Sequence, residues 1–244
     1  MKKLLTILTL MCFNITLFSQ SHNESPVFID FGPKAMIGIA TINPTLISDS
    51  SSGFEHSFAS YGYSFGGKFA IDFGEHFAVV GEYLINQNKQ SFITSTKNQY
   101  IHYNRHEIPI LLRYNGNNLG FVEAGISLYK TKSVNETDLK GVKTSYTSLY
   151  NNNGKSAILG FGGTITTLGE INIQMGLRLK YDLDDYVNGG NTKTSANSVY
   201  ALNSGITSTK PLSAMIFLEL NYDLGFTRSR SNCGGSRKIK IGNR

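Results

Sequence analysis

From Ile171 to Leu183 every second place is apolar, with Ile171, Ile173, Met175, Leu177, Leu179, Tyr181 and Leu183 set against Asn172, Gln174, Gly176, Arg178, Lys180 and Asp182. A period of two puts one kind of residue on each face of a strand, whereas helical spacing would scatter the apolar residues around the circumference. The stretch from Leu212 to Phe226 repeats the pattern: Leu212, Ala214, Ile216, Leu218, Leu220, Tyr222, Leu224 and Phe226 alternate with polar places such as Ser213, Glu219, Asn221 and Asp223. So does Tyr61–Phe73, where Tyr61, Tyr63, Phe65, Phe69, Ile71 and Phe73 stand against Gly62, Ser64, Gly66, Lys68 and Asp72. Five further segments complete the set: 34–43, 77–89, 99–114, 119–132 and 155–167. Alternation lapses at Leu84–Ile85 and from Ile108 to Leu112, which a barrel too narrow for water tolerates by taking some apolar residues inside.

The connections sharpen the picture. Gly74-Glu75, Asn115-Gly116-Asn117-Asn118 and Leu168-Gly169 are short turns, while 44–58, 90–98, 133–154 and 184–209 are long, so short and long alternate along the chain. Glycine and asparagine suit tight hairpins. Short turns on one side and long loops on the other, with an even strand count, are the pattern of bacterial transmembrane barrels. The expected fold is all-β: an antiparallel up-and-down transmembrane β-barrel of about eight strands. A soluble β-sandwich or lipocalin-like barrel would alternate equally well, but its strands usually run about five or six residues, and several here pass ten. Tyr61, Tyr63 and Tyr83 fall toward the long-loop ends, and Phe73, Phe77, Tyr114, Tyr222 and Phe226 toward the short-turn ends, as two interfacial aromatic belts would.

Composition fits a wall that meets lipid. Of 244 residues only 16% are charged, 25 are Gly and 5 are Pro. Mean hydropathy is −0.15, and beyond residue 20 there is no unbroken apolar run of the roughly 20 residues a spanning helix requires. Lys2, Lys3 and the apolar stretch Leu4–Leu17 read as a secretory signal, with cleavage expected near Ser19 or Gln20. Its removal leaves Cys233 as the single cysteine, which excludes an internal disulfide in the mature chain. The expected organisation is a signal peptide over 1–20, an outer-membrane barrel over 21–226 and a basic periplasmic tail over 227–244.

The polar face carries Lys68, Asp72, Glu82, Arg105, Glu107, Arg113, Glu123, Arg178, Lys180, Glu219 and Asp223. An eight-stranded barrel has an interior just wide enough to be filled by side chains, and charges enclosed there must pair. These residues are therefore expected to form a lumen charge network that plugs the barrel. The rival use of the same charges is a narrow channel for small solutes or ions. His102 and His106 share a strand face that also holds Ile108 and Ile110, so both are expected to point outward. No nucleophile is placed beside them and no third ligand has metal-site spacing, so the expectation is no catalytic residue, no metal site and no cofactor. Gly160-Phe161-Gly162-Gly163 lies within a strand with no helix after it, so it is not a phosphate loop; its glycines relieve crowding.

The tail holds Arg228, Arg230, Arg237, Lys238, Lys240 and Arg244 and no acid. With these six and Lys2 and Lys3 set aside from the formal net charge of +6, the barrel and its loops carry −2. A basic run of this kind attracts anionic headgroups, a peptidoglycan carboxylate or an acidic periplasmic partner. Outer-membrane lipid is the other expected partner, and nucleic acid is not.

Residues Glu107-Ile108-Pro109-Ile110-Leu111-Leu112-Arg113-Tyr114 resemble the E-I-P-x-L-L-[KR]-Y stretch of the small outer-membrane barrels of the Bacteroidota, the family typified by PorT. The hairpin into Gly120-Phe121-Val122-Glu123-Ala124-Gly125, the leader ending Phe18-Ser19-Gln20 and the closing Tyr222-Asp223-Leu224-Gly225-Phe226 are similar too. The resemblance spans roughly residues 30–226. It implies a small eight-stranded barrel and, through PorT, an accessory role in protein secretion. The basic tail departs from the family's usual ending, in which the last strand's aromatic residue lies at or near the chain end.

Overall fold

The period-two segments fold as β1 (Val27–Thr41), β3 (Tyr61–Phe73), β4 (Phe77–Thr94), β5 (Asn98–Asn115), β6 (Gly120–Thr137), β8 (Asn153–Leu168), β9 (Ile171–Asp182) and β10 (Leu212–Arg228). Three short strands accompany them: β2 (Phe54–His56), β7 (Lys143–Ser145) and β11 (Ile239–Gly242). The computed structural model describes residues 27–41, 54–56, 60–73, 76–94, 98–116, 120–137, 142–168, 171–186, 209–228 and 239–242. The expected signal segment, Cys233, Arg230, Arg237, Lys238 and Arg244 lie outside the described residues, as do most of the turn residues.

Each of the eight long strands pairs antiparallel with its neighbour, and β1 pairs with β10 from Val27↔Phe226 to Thr41↔Leu212. The sheet is thereby closed: an up-and-down, eight-stranded antiparallel barrel. Closure matters because an open sheet would leave a row of backbone N–H and C=O groups unpaired in hydrocarbon. β2 adds to β4 and β7 to β6 at the long-loop end. β11 pairs with Gly225–Arg228 of β10, beyond the point where β9 starts at Ile171↔Tyr222.

The alternation becomes two unlike faces. Every long strand places large apolar side chains outward, among them Ile37, Phe69, Val79, Ile110, Ile126, Leu159, Met175 and Ile216, one from each strand in turn and each at least 39% exposed. The charged residues turn inward. This is the wall of a transmembrane barrel, since a water-soluble barrel would bury its apolar face. Tyr61, Tyr63 and Tyr83 face outward toward one rim, and Phe73, Phe77 and Tyr114 toward the other. Phe77 and Tyr114 pack edge to face at 5.3 Å. The two lapses in alternation resolve as strand geometry: Leu84 and Leu111 are 1% exposed inside, while Ile108, Ile110 and Leu112 point out.

The strands are longer than expected. β1 begins at Val27 rather than Lys34, a start hidden by Gly32-Pro33, which reads as a breaker. The ladder to β10 steps from Phe31↔Tyr222 to Lys34↔Glu219 in unchanged register and is interrupted at Gly32-Pro33, where proline has no N–H to donate, while the ladder to β3 runs on through Pro33↔Gly67. Within the stretch expected as a long loop over 90–98, residues 90–94 and 98 instead extend β4 and β5 as a ribbon, with Gln90↔Ile101 through Ile93↔Asn98 paired. Likewise 133–137 continues β6, and β7 and β2 lie in segments expected to be loops. At about 3.3 Å per residue, the 18 residues of β4, β5 or β6 far exceed the roughly 9–11 that cross a bilayer. The surplus stands outside the hydrocarbon, where a strand requires ladder bonds but no apolar face, and so leaves no alternation to read.

Candidate functional site

The inward residues of six strands meet in one closed ring. Lys34 of β1 lies 2.9 Å from Glu219 of β10, and Arg113 of β5 lies 2.8 Å from the same carboxylate. Arg113 reaches Glu123 of β6 at 2.8 Å, Glu123 pairs with Arg178 of β9, Arg178 holds Glu82 of β4 at 2.6 Å, and Glu82 returns to Lys34 at 2.9 Å. Cations and anions alternate around it. Their side chains are 0–3% exposed. Lys68 of β3 extends the ring, 3.2 Å from both Glu219 and Asp30.

Local sequence explains why these atoms meet. Glu123 and Arg178 stand on either side of β8, both in register with Gly160. A Cβ at Gly160 would come 2.7 Å from a Glu123 carboxylate oxygen, so the bare backbone is what lets the two charges touch across the strand. The faces of two phenylalanines support the cations: Lys34 Nζ is 4.0 Å from the Phe217 ring centre and Arg113 lies 4.0 Å from that of Phe121. Met36, Leu84 and Met215 pack with those rings. Gly160→Val is expected to displace Glu123 and lower stability by about 1–3 kcal/mol, measured by urea unfolding of the folded barrel in detergent.

A second layer lies toward the long loops. Arg105 of β5 is 2.6 Å from Asp182, whose other oxygen accepts a 2.7 Å bond from Ser156. The Arg105 guanidinium is enclosed by Tyr129 at 4.2 Å and Tyr186 at 4.1 Å, with Tyr103 at 5.0 Å. Tyr186 comes from the segment after β9 and is fully buried, and its carbonyl accepts the Asn151 N–H at 2.8 Å. Tyr150 packs on it at 5.0 Å and donates its hydroxyl to Glu136. Lys180 pairs with Glu107 between the two layers. A cavity of about 10 Å³ there touches Glu107, Arg178, Lys180 and Ser213, room for about one water.

Of the residues read as the lumen network, Lys68, Asp72, Glu82, Arg105, Glu107, Arg113, Glu123, Arg178, Lys180 and Glu219 are buried inside the barrel. They divide between the ring and the upper layer, apart from Asp72, which lies toward the short-turn end and accepts a 3.3 Å bond from Asn115. The side chain of Asp223 lies outside the described residues. Sequence reasoning missed Asp30, Lys34, Glu136 and Asp182, all buried. Parity was the available signal, since Asp182 alternates with Leu183, and Lys34 stands two places from Met36 and opposite Glu219. His106 lies on the outer wall beside Tyr83, their rings 5.7 Å apart. Of the tail cations, Arg228 ends β10 and Lys240 lies in β11.

No protein-family model matches this chain, and no curated protein matches it in sequence. Among solved structures it is similar to the outer membrane protein OprG from Pseudomonas aeruginosa, at 12% identity over 84% of this chain and 98% of that one, with a TM-score of 0.39. It is also similar to Neisserial surface protein A, at 11% identity over 80% and 96% of the two chains with a TM-score of 0.40. The translocator domain of the autotransporter NalP from Neisseria meningitidis is 10% identical over 89% and 95%, with a TM-score of 0.34. The barrel assignment rests on this chain's own strand pairing.

Proposed function

We propose that this chain is a non-enzymatic barrel of the bacterial outer membrane with a structural or interaction role, a closed cylinder that carries its recognition surfaces outside the bilayer. The closed ring of Lys34, Glu219, Arg113, Glu123, Arg178 and Glu82 carries the proposal. Three cations and three anions neutralise one another across the lumen, so the cylinder is braced rather than open. Pairing of this quality is expected where charge is taken out of water.

The purified chain, folded in detergent, is expected to run faster on gels unheated than boiled, and to give no discrete conductance steps in planar bilayers. Reproducible unitary steps would favour the narrow channel. A chain that stays monomeric in buffer without detergent would end the membrane assignment.

What lies outside the wall is where binding belongs. The ribbon of β4 and β5 and the added strands β2 and β7 stand at the long-loop end, which faces the exterior in this orientation. The basic tail then lies in the periplasm, suited to an acidic partner or to peptidoglycan. The resemblance of Glu107–Tyr114 to the PorT family supports an accessory role in protein secretion. Deletion of the gene is then expected to block export of cargo proteins, and normal export would refute that role.

A further inference from the structure

The outer wall across β5, β6 and β8 carries a groove of about 620 Å³ near the long-loop rim. Register sets its levels. His106 stands opposite Lys130, and in the next row away from the rim Ile108 faces Leu128, which faces Lys155. Lys132 lies one outward place further toward the rim. Lys130, Lys132 and Lys155 are all exposed. Below this level the outward residues are those of the lipid belt, Ile110, Leu112, Val122 and Ile126.

Two features set the groove apart from an ordinary membrane rim, where single lysines reach up to water. The six basic residues of the lumen each have a carboxylate within 3.2 Å, but Lys130, Lys132 and Lys155 have no ion pair among the described residues. The one carboxylate lining the groove, Asp184, accepts the backbone N–H of Lys155 at 2.9 Å. Second, the lysines come from two adjacent strands around one apolar floor, Ile108 and Leu128.

We propose that this groove holds the phosphate of an outer-leaflet lipid headgroup, clamped by Lys130, Lys132 and Lys155, with an acyl chain lying down the wall over Ile108 and Leu128. The site is electrostatic above and apolar below because a phosphorylated amphiphile is both. Lys130 and Lys155 flank the phosphate from adjacent strands. This inference rests on the membrane-spanning reading above.

The test uses the full chain folded in detergent, with retained lipid measured by native mass spectrometry. The probes are diphosphorylated lipid A, the same lipid stripped of its phosphates, and inorganic phosphate. The wild type is expected to retain one lipid A and to lose it when the phosphates are removed. The triple variant K130A/K132A/K155A is expected to bind roughly 100-fold more weakly, about five-fold for each lysine. Heat-dependent gel mobility checks that the variant is folded. Equal retention by the triple variant, or of the stripped lipid, would overturn the proposal. Displacement of the lipid by excess inorganic phosphate would overturn it too, by assigning the site to a free anion. Failure of the membrane reading is seen separately, as a wild type without heat-dependent mobility that stays monomeric in plain buffer.

Discussion

Arg178→Ala is expected to destabilise the folded barrel by about 3–5 kcal/mol, the cost of removing one partner from a buried ion pair. Arg178 holds two carboxylates, Glu82 through two nitrogens at 2.6 and 2.9 Å, and Glu123 through Nε at 3.0 Å and a further contact from Nη2. Its loss leaves both facing each other with Lys34 and Arg113 as their remaining counter-charges. The penalty comes from stranded charge rather than from lost attraction, and a second variant separates the two. Arg178→Met combined with Glu123→Gln removes one cation and one anion while keeping the volume, leaves two of each in the ring, and is expected to recover most of the loss. The chain has no Trp, so far-UV circular dichroism or gel mobility in a urea series is the suitable probe. If Arg178→Ala unfolds at the wild-type urea concentration, the ring does not brace the barrel.

Ile110→Arg probes the opposite face. Ile110 is 50% exposed on β5, with Ile126 as its outward partner on β6. On a water-facing surface such a change usually moves stability by no more than about 0.5 kcal/mol. On the lipid face of a barrel near the bilayer midplane it costs about 2–4 kcal/mol. The larger figure is expected, measured as the shift in urea-dependent folding into phosphatidylcholine vesicles. The same substitution at Lys130, already charged and near the rim, is expected to have almost no effect on folding. A neutral result at Ile110 would mean that this outward face does not meet hydrocarbon.

Parity made much of the wall readable in advance. Once Arg178 and Lys180 alternate with Leu177 and Leu179, it follows that the charges share one face, and that a narrow barrel must enclose them. Where parity failed, the cause was physical. Asp30 was lost because Gly32-Pro33 looks like a break, although the ladder to β10 resumes in register at Lys34. Phe121, Met215 and Phe217 are in phase with Glu123, Ser213 and Glu219, but apolar residues on the polar face carry no label until the cations resting on them are seen. The ribbon of residues 90–94 and 98–101 was hidden because strands outside hydrocarbon have no face to hide from water.

Sequence alone determined that the chain forms long two-faced strands, joined by turns that alternate short and long, with ionised residues on one face. That information is local, carried by neighbours along the chain and by the pleat's period. Only the tertiary structure decided which charges meet. The ring joins residues as far apart as Lys34 and Glu219, brought together by barrel closure and by the stagger between strands, and neither is written in any short stretch of sequence. The same closure placed Gly160 where its missing side chain admits the Glu123–Arg178 pair, and set Lys130 and Lys155 on adjacent strands above one groove.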